Sequence, residues 1–133
     1  MIAHSLGSVI AFNCICDFQA IGDKYLADTP LERGETLRYL YTMGSPLALY
    51  ALRYEDTLFG HPPKVAVWKN FIDKADIIAY PLHDLNEFYK VSGVEDIQLE
   101  VGSVLTSWNP MSHIEYWTDP KIIAMITNDL ITK

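Results

Sequence analysis

Apolar and small residues fill almost every position from 6 to 18 with no proline among them. A run of that length predicts a helix buried nearly all round rather than along one stripe. Residues 22–35 turn polar and carry glycine and proline, which reads as a loop. Positions 37–43, Leu-Arg-Tyr-Leu-Tyr-Thr-Met, are aromatic and mostly apolar and stop at Gly44-Ser45-Pro46, predicting a strand that ends in a loop. A second loop over 55–63, marked by Gly60 and the Pro62-Pro63 pair, leads into a strand over 64–72, where Val65, Val67 and Phe71 flank Trp68. A third strand is expected over 97–105, where Ile97, Leu99, Val101, Val104 and Leu105 stand among polar neighbours. The last helix is the best marked: Asp119 can accept from the free amides of the first turn, and Pro120 has no amide to waste there. Ile122, Ile123, Ile126 and Leu130 then fall on one stripe. Helix alternating with strands too apolar to face water predicts the α/β class, with a mostly parallel sheet covered by helices.

The 133 residues are read as a single domain, half of them apolar and 20% charged, which excludes a disordered tail. A chain of this size buries about two thirds of the surface it exposes when unfolded, so its core needs neither a disulfide lattice nor a structural metal. Ten basic residues against 17 acidic ones leave a formal charge of −7 with no compensating Lys/Arg cluster, which argues against nucleic acid as a partner. No apolar run is long enough to cross a bilayer and no charged leader opens the chain, so a soluble protein without a transmembrane segment is expected. Cys14 and Cys16 lie two apart in a helical stretch, where their side chains diverge and cannot easily bond. With no second cysteine pair and four scattered histidines they read as small core residues. Neither metal nor cofactor is expected, and the setting is expected to be reducing and cytoplasmic.

The chemistry concentrates in the first seven residues. Ile2-Ala3-His4-Ser5-Leu6-Gly7 has the form apolar, small, x, Ser, x, Gly, followed at once by the first helix, which is the arrangement of a nucleophile elbow. A serine on so tight a strand-to-helix turn is expected to need small residues two positions away on either side, Ala3 and Gly7, because bulk there would clash. Helix amides lie beside such a serine, and that of Leu6 would point at an oxyanion forming on a substrate. The plainer alternative for Ser5 is a helix N-cap, a role that does not ask for the small pair.

With these residues in view, the chain resembles the C-terminal half of a serine hydrolase of the α/β-hydrolase superfamily, of lipase or esterase type. Ala3-His4-Ser5-Leu6-Gly7 is similar to the family's Gly-x-Ser-x-Gly, with Ala3 in place of the first glycine. Residues 41–47 resemble the strand after the nucleophile helix, 68–78 the strand and loop that present the catalytic acid, and 112–117 the loop that presents the catalytic histidine. The resemblance implies a triad of Ser5, Asp76 and His113 in the superfamily's order, an oxyanion amide on Leu6, and a small-molecule or lipid ester substrate cleaved through an acyl-enzyme. Asp73 competes with Asp76 in the same loop; the pair Ile77-Ile78 directly after Asp76 fits the family's pattern better. His61 and His83 sit beside prolines in expected turns. Tyr50, Tyr54, Phe59, Trp108, Tyr116 and Trp117 can line an apolar pocket or belong to the core.

The same resemblance implies strands before the elbow, one of which brings the second oxyanion amide. Met1 is therefore expected to be a start inside a longer gene, and this chain by itself is expected to turn over esters poorly. An unpaired sheet edge beside residues 2 and 3 invites a homodimer. The alternative function is a truncated, non-catalytic half-domain serving as an interaction or oligomerisation module.

Overall fold

The computed structural model describes residues 1–21, 29–54, 63–101 and 112–132. Four strands form one sheet in the order in which they occur: β1 (Ile2–His4), β2 (Tyr39–Met43), β3 (Val67–Asp73) and β4 (Val94–Leu99). All three pairings are parallel, with Ile2 opposite Tyr41, Tyr41 opposite Lys69, and Phe71 opposite Ile97. Parallel neighbours require crossovers. These carry helices α1 (Leu6–Ile21), α2 (Leu47–Tyr54) and α3 (Glu87–Ser92); α4 (Ser112–Glu115), a 3₁₀ turn (Tyr116–Thr118) and α5 (Pro120–Ile131) follow the last strand.

The central strands β2 and β3 are largely buried and mostly apolar, with Thr42, Asn70 and Asp73 as buried polar exceptions. On one face Val9, Phe12, Ile15 and Cys16 of α1 pack with Leu40, Trp68 and Val94 of the strands and with Leu47, Ala48 and Ala51 of α2. On the other, Tyr116 and Ile122 pack with Tyr41, Met43, Phe71 and Leu99. Both helical faces of an α/β sheet are thus present. Threading the first face is a polar chain in which Trp68 Nε1 donates to Thr42, Thr42 to Asn70, and Asn70 to Asp96, whose other oxygen takes the amides of Leu82 and His83. Every member has a partner, the condition under which buried polar groups are tolerable.

Several expectations shift. The helix over 6–18 extends to Ile21, and it is not buried all round: Leu6, Ile10, Asn13, Cys14, Asp17 and Phe18 face solvent, because only one side of α1 meets the sheet. Cys16 is therefore a core residue whose thiol burial pushes up to about 12, whereas Cys14 is exposed; both are free. The third strand begins at Val94, earlier than its apolar alternation suggested, since the left-handed turn at Gly93 (φ 68°) both ends α3 and starts β4. Residues 102–105 of the expected strand lie outside the described residues, as do His61, Phe59 and Trp108. In α5 the cap is as expected, Asp119 accepting from the amides of Lys121 and Ile122 with Pro120 at the start. Its inner side, however, is Ile122, Met125, Ile126 and Asp129, while Ile123 and Leu130 are exposed. Lys69 of β3 and Tyr41 of β2 turn α5 to this angle by bonding Asp129.

No described helix is long and apolar enough to cross a membrane. Among the described residues no cluster of His, Cys, Asp and Glu could hold a metal.

Candidate active site

Ser5 occupies the single residue between β1 and α1, and its backbone has φ 53°, the left-handed region that residues with a Cβ enter only when held there. Three contacts hold it. Its amide donates to the Met43 carbonyl at 3.0 Å, its carbonyl accepts the Ser8 amide at 2.9 Å, and the Ser8 hydroxyl donates to the same carbonyl at 2.6 Å. Ser8 in turn is bonded at 2.6 Å to Ser45, whose oxygen accepts the Leu47 amide and so caps α2. The turn is thereby pinned to the end of β2. Leu6 opens α1, so its amide belongs to the first turn, where no intrahelical acceptor exists.

The reason given above for Gly7 does not hold in the structure: among the described residues, a Cβ built on Gly7 meets nothing within 4 Å. Ala3 is different, being buried within β1. The small residue that the site needs is Gly44, at the end of β2. A Cβ there would lie 3.0 Å from Asp76 Oδ2 and from Cε1 and Nδ1 of the His113 ring, on a backbone already at φ 55°. Gly44→Ala is expected to push the pair apart. A displacement of about 1 Å at reacting groups can cost roughly a hundredfold in rate, and the measured rate of covalent labelling at Ser5 should fall by that order while the chain stays folded by circular dichroism.

The structure brings together the three residues that the resemblance singles out. Ser5 Oγ lies 2.7 Å from His113 Nε2, and His113 Nδ1 lies 2.7 Å from Asp76 Oδ2. A carboxylate can only accept, so Nδ1 carries the proton and Nε2 is left to accept from the Ser5 hydroxyl. They arrive from separate elements: the β1–α1 turn, the turn after β3, and α4. Asp76 is buried, and its second oxygen is fixed by the Ile78 amide at 3.1 Å. Asp73, the competing acid, closes β3; it is buried and takes the Ala75 amide at 3.1 Å. Burial holds its carboxyl above the usual carboxylate range, the nearby Asp76 adding to the rise against the amides of Ala75 and Val101. A carboxyl pushed toward its neutral form, and bonded to the Ala75 amide rather than to His113, is a poor partner for an imidazolium.

Two further residues join the site. His4, beside Ser5 in the motif, donates Nε2–H to the backbone carbonyl of His113, and the two imidazoles meet at a tilt of 37° with centroids 4.7 Å apart. Its ring also meets those of Tyr116 and Trp117 at 5.9 Å. Burial first, then the neighbouring His113, lowers its pKa below the ordinary histidine value, against the carbonyl bond and Asp76. A base with a depressed folded pKa binds fewer protons folded than unfolded, so its contribution to stability is present above pH ~6.5 and is lost as the pH falls below it. His4→Gln offers an amide N–H in place of the ring N–H and removes this titration. The melting temperature of that variant should therefore fall less between pH 7.5 and 5.5 than that of the parent; equal falls would show that His4 does not titrate on unfolding. Tyr116 is the second addition: its hydroxyl accepts the Asp73 amide at 2.8 Å and donates to Asp76 Oδ2 at 3.0 Å. The sequence offers it only as one of several aromatics that can line a pocket or belong to the core, and nothing local marks its bond to Asp76. His83 lies elsewhere, exposed beside Asp84.

Compared with known proteins, the chain matches no family model, no curated protein and no solved structure. The functional reading therefore rests on the geometry of this site.

Proposed function

We propose that the chain is the nucleophile-bearing part of an α/β-hydrolase, a serine hydrolase of esterase or lipase type that cleaves an ester or related acyl bond. The observation that carries the reading is the continuous pair of 2.7 Å contacts from Ser5 Oγ through the His113 ring to Asp76, with Ser5 held at positive φ between a parallel strand and a helix. A serine that merely caps a helix needs neither a buried acid–histidine pair nor a strained backbone.

In this mechanism His113 Nε2 takes the Ser5 proton as Oγ attacks the acyl carbon, and the Leu6 amide faces the oxyanion. Asp76 fixes the tautomer and stabilises the imidazolium without itself taking the proton. Nε2 returns the proton to the departing alcohol oxygen, leaving an acyl group on Ser5. Water then attacks that carbonyl, giving its proton to His113, and the carboxylic acid leaves as Oγ recovers it. An apolar cavity of about 240 Å³ lined by Ile2, Met43, Ile122, Ile123 and Ile126 shares Tyr116 and Trp117 with the His113 segment. That supports a short apolar chain on the substrate.

Incubation with a fluorophosphonate and intact-mass measurement tests the proposal. The expected result is one phosphonyl group per chain, mapped to Ser5. No adduct, or an adduct spread over several serines, would sink it.

A second reading draws on different observations. β1 pairs on one side only among the described residues, and Ile2, Leu6 and Ile10 are exposed beside it, which suits an interaction or oligomerising module joined through that edge. Sedimentation equilibrium separates the two: a dimer without labelling favours the module, labelling of a monomer the hydrolase.

A further inference from the structure

We propose that Tyr116 is a positioning residue of this site, its hydroxyl tying the carboxylate oxygen that faces His113 to the end of β3. The placement stands on geometry alone, whereas its catalytic consequence rests on the hydrolase reading.

The direction of each bond is forced. An amide can only donate, so the bond from Asp73 N–H occupies a lone pair on Tyr116 Oη, and the single phenolic proton is free to point at Asp76 Oδ2. That same oxygen takes Nδ1–H of His113, so two donors three residues apart in the chain converge on it. The ring packs edge-on to His113, with centroids 6.4 Å apart and planes at 84°. The segment that carries the histidine is thus docked on the acid at two points, and the acid is referred back to the strand through the Asp73 amide. Burial, with both carboxylates nearby, keeps the phenol far above its ordinary range, so it remains a donor at every working pH.

A side chain that only fills the core would do neither of two things that this hydroxyl does. It draws charge from Oδ2, weakening that oxygen's hold on an imidazolium, and it stops the carboxylate from turning about the bond to its Cβ. Besides Tyr116, the titratable groups facing the Asp76–His113 pair are His4 from β1 and Asp73 from β3. Both remain in the variant.

The test uses the whole chain with Tyr116→Phe. The carbon-bound ring protons of His113, followed by NMR against pH, are expected to titrate with a higher midpoint than in the parent. Labelling of Ser5 by the fluorophosphonate should be roughly tenfold or more slower at its optimum, the loss typical of a hydrogen bond to a charged group, with its acid limb moved the same way. A midpoint that stays or falls overturns the proposal even if labelling slows, since that is what lost packing alone would do. Site-specific 3,5-difluorotyrosine keeps nearly the same shape and donates more strongly, so the midpoint should drop. That variant decides the matter if Tyr116→Phe fails to fold, and a midpoint that does not drop overturns the proposal. Absence of labelling in the parent would defeat the hydrolase reading and leave the NMR comparison to judge Tyr116.

Discussion

Replacing Ser5 by alanine is expected to abolish fluorophosphonate labelling while leaving the fold intact. Alanine has the same Cβ as serine and enters the left-handed backbone at a similar cost, so the turn at φ 53° keeps its strain and its three holding contacts, none of which uses the Ser5 hydroxyl. What disappears is the atom 2.7 Å from His113 Nε2. Where nucleophile and base act as a unit, loss of the nucleophile costs roughly 10⁶-fold in rate, far below detection in a labelling assay. Ser8 is the natural control. It is fully buried, with its hydroxyl committed to the Ser5 carbonyl and to Ser45, and it should remain unlabelled in both proteins. Undiminished labelling of Ser5→Ala, on whichever residue, would show that the 2.7 Å contact is only structural.

The acid gives the second large effect. Asp76→Asn keeps the shape of the side chain but offers His113 Nδ1 an amide, which favours the wrong tautomer and removes the charge that stabilises the imidazolium; the loss expected from such a change is about 10⁴-fold. Asp73→Asn should cost no more than several-fold, because Asp73 bonds the Ala75 amide rather than the histidine, and its carboxyl is already held toward the neutral form by burial. The measurement is the rate of phosphonylation of each variant at the pH optimum of the parent. Similar losses in both would mean that the two carboxyls act as one coupled unit, and the reverse order would transfer the role of acid to Asp73.

Residues 6–18 lie in α1, but their local pattern does not say which side of the helix turns inward. Composition predicts helix correctly, since the run lacks proline, but a run that is apolar or small at almost every position carries little period, and only the position of the sheet decides that Phe12 and Ile15 turn inward while Leu6 and Ile10 face out. Strands β2 and β3 were legible because the central strands of a parallel sheet are mostly apolar, although Thr42, Asn70 and Asp73 are buried among them. β4 was displaced because its start is set by Gly93, whose role as a helix stop shows only beside α3. Helix α2 follows Gly44-Ser45-Pro46 with an apolar run that fits a buried face, and α3 lies between a capping Asn86 and Gly93, so both carry start or stop signals in the sequence.

The sequence by itself determined the class of fold and the local chemistry. Helix caps, proline and glycine placement and apolar runs act over a few residues, and so does the tight turn that sets Ser5 ahead of a helix. Tertiary structure decided which groups meet: that Asp76 rather than Asp73 reaches His113, that Tyr116 shares the same oxygen, and that Gly44 rather than Gly7 is the glycine whose lack of a side chain leaves room for the pair. These are contacts between residues tens of positions apart, fixed by the parallel register of β1, β2 and β3 and by the packing of α5 on the sheet. No pattern confined to neighbouring residues carries that register, because it is set by burial of side chains across strands that come together only when the chain has folded.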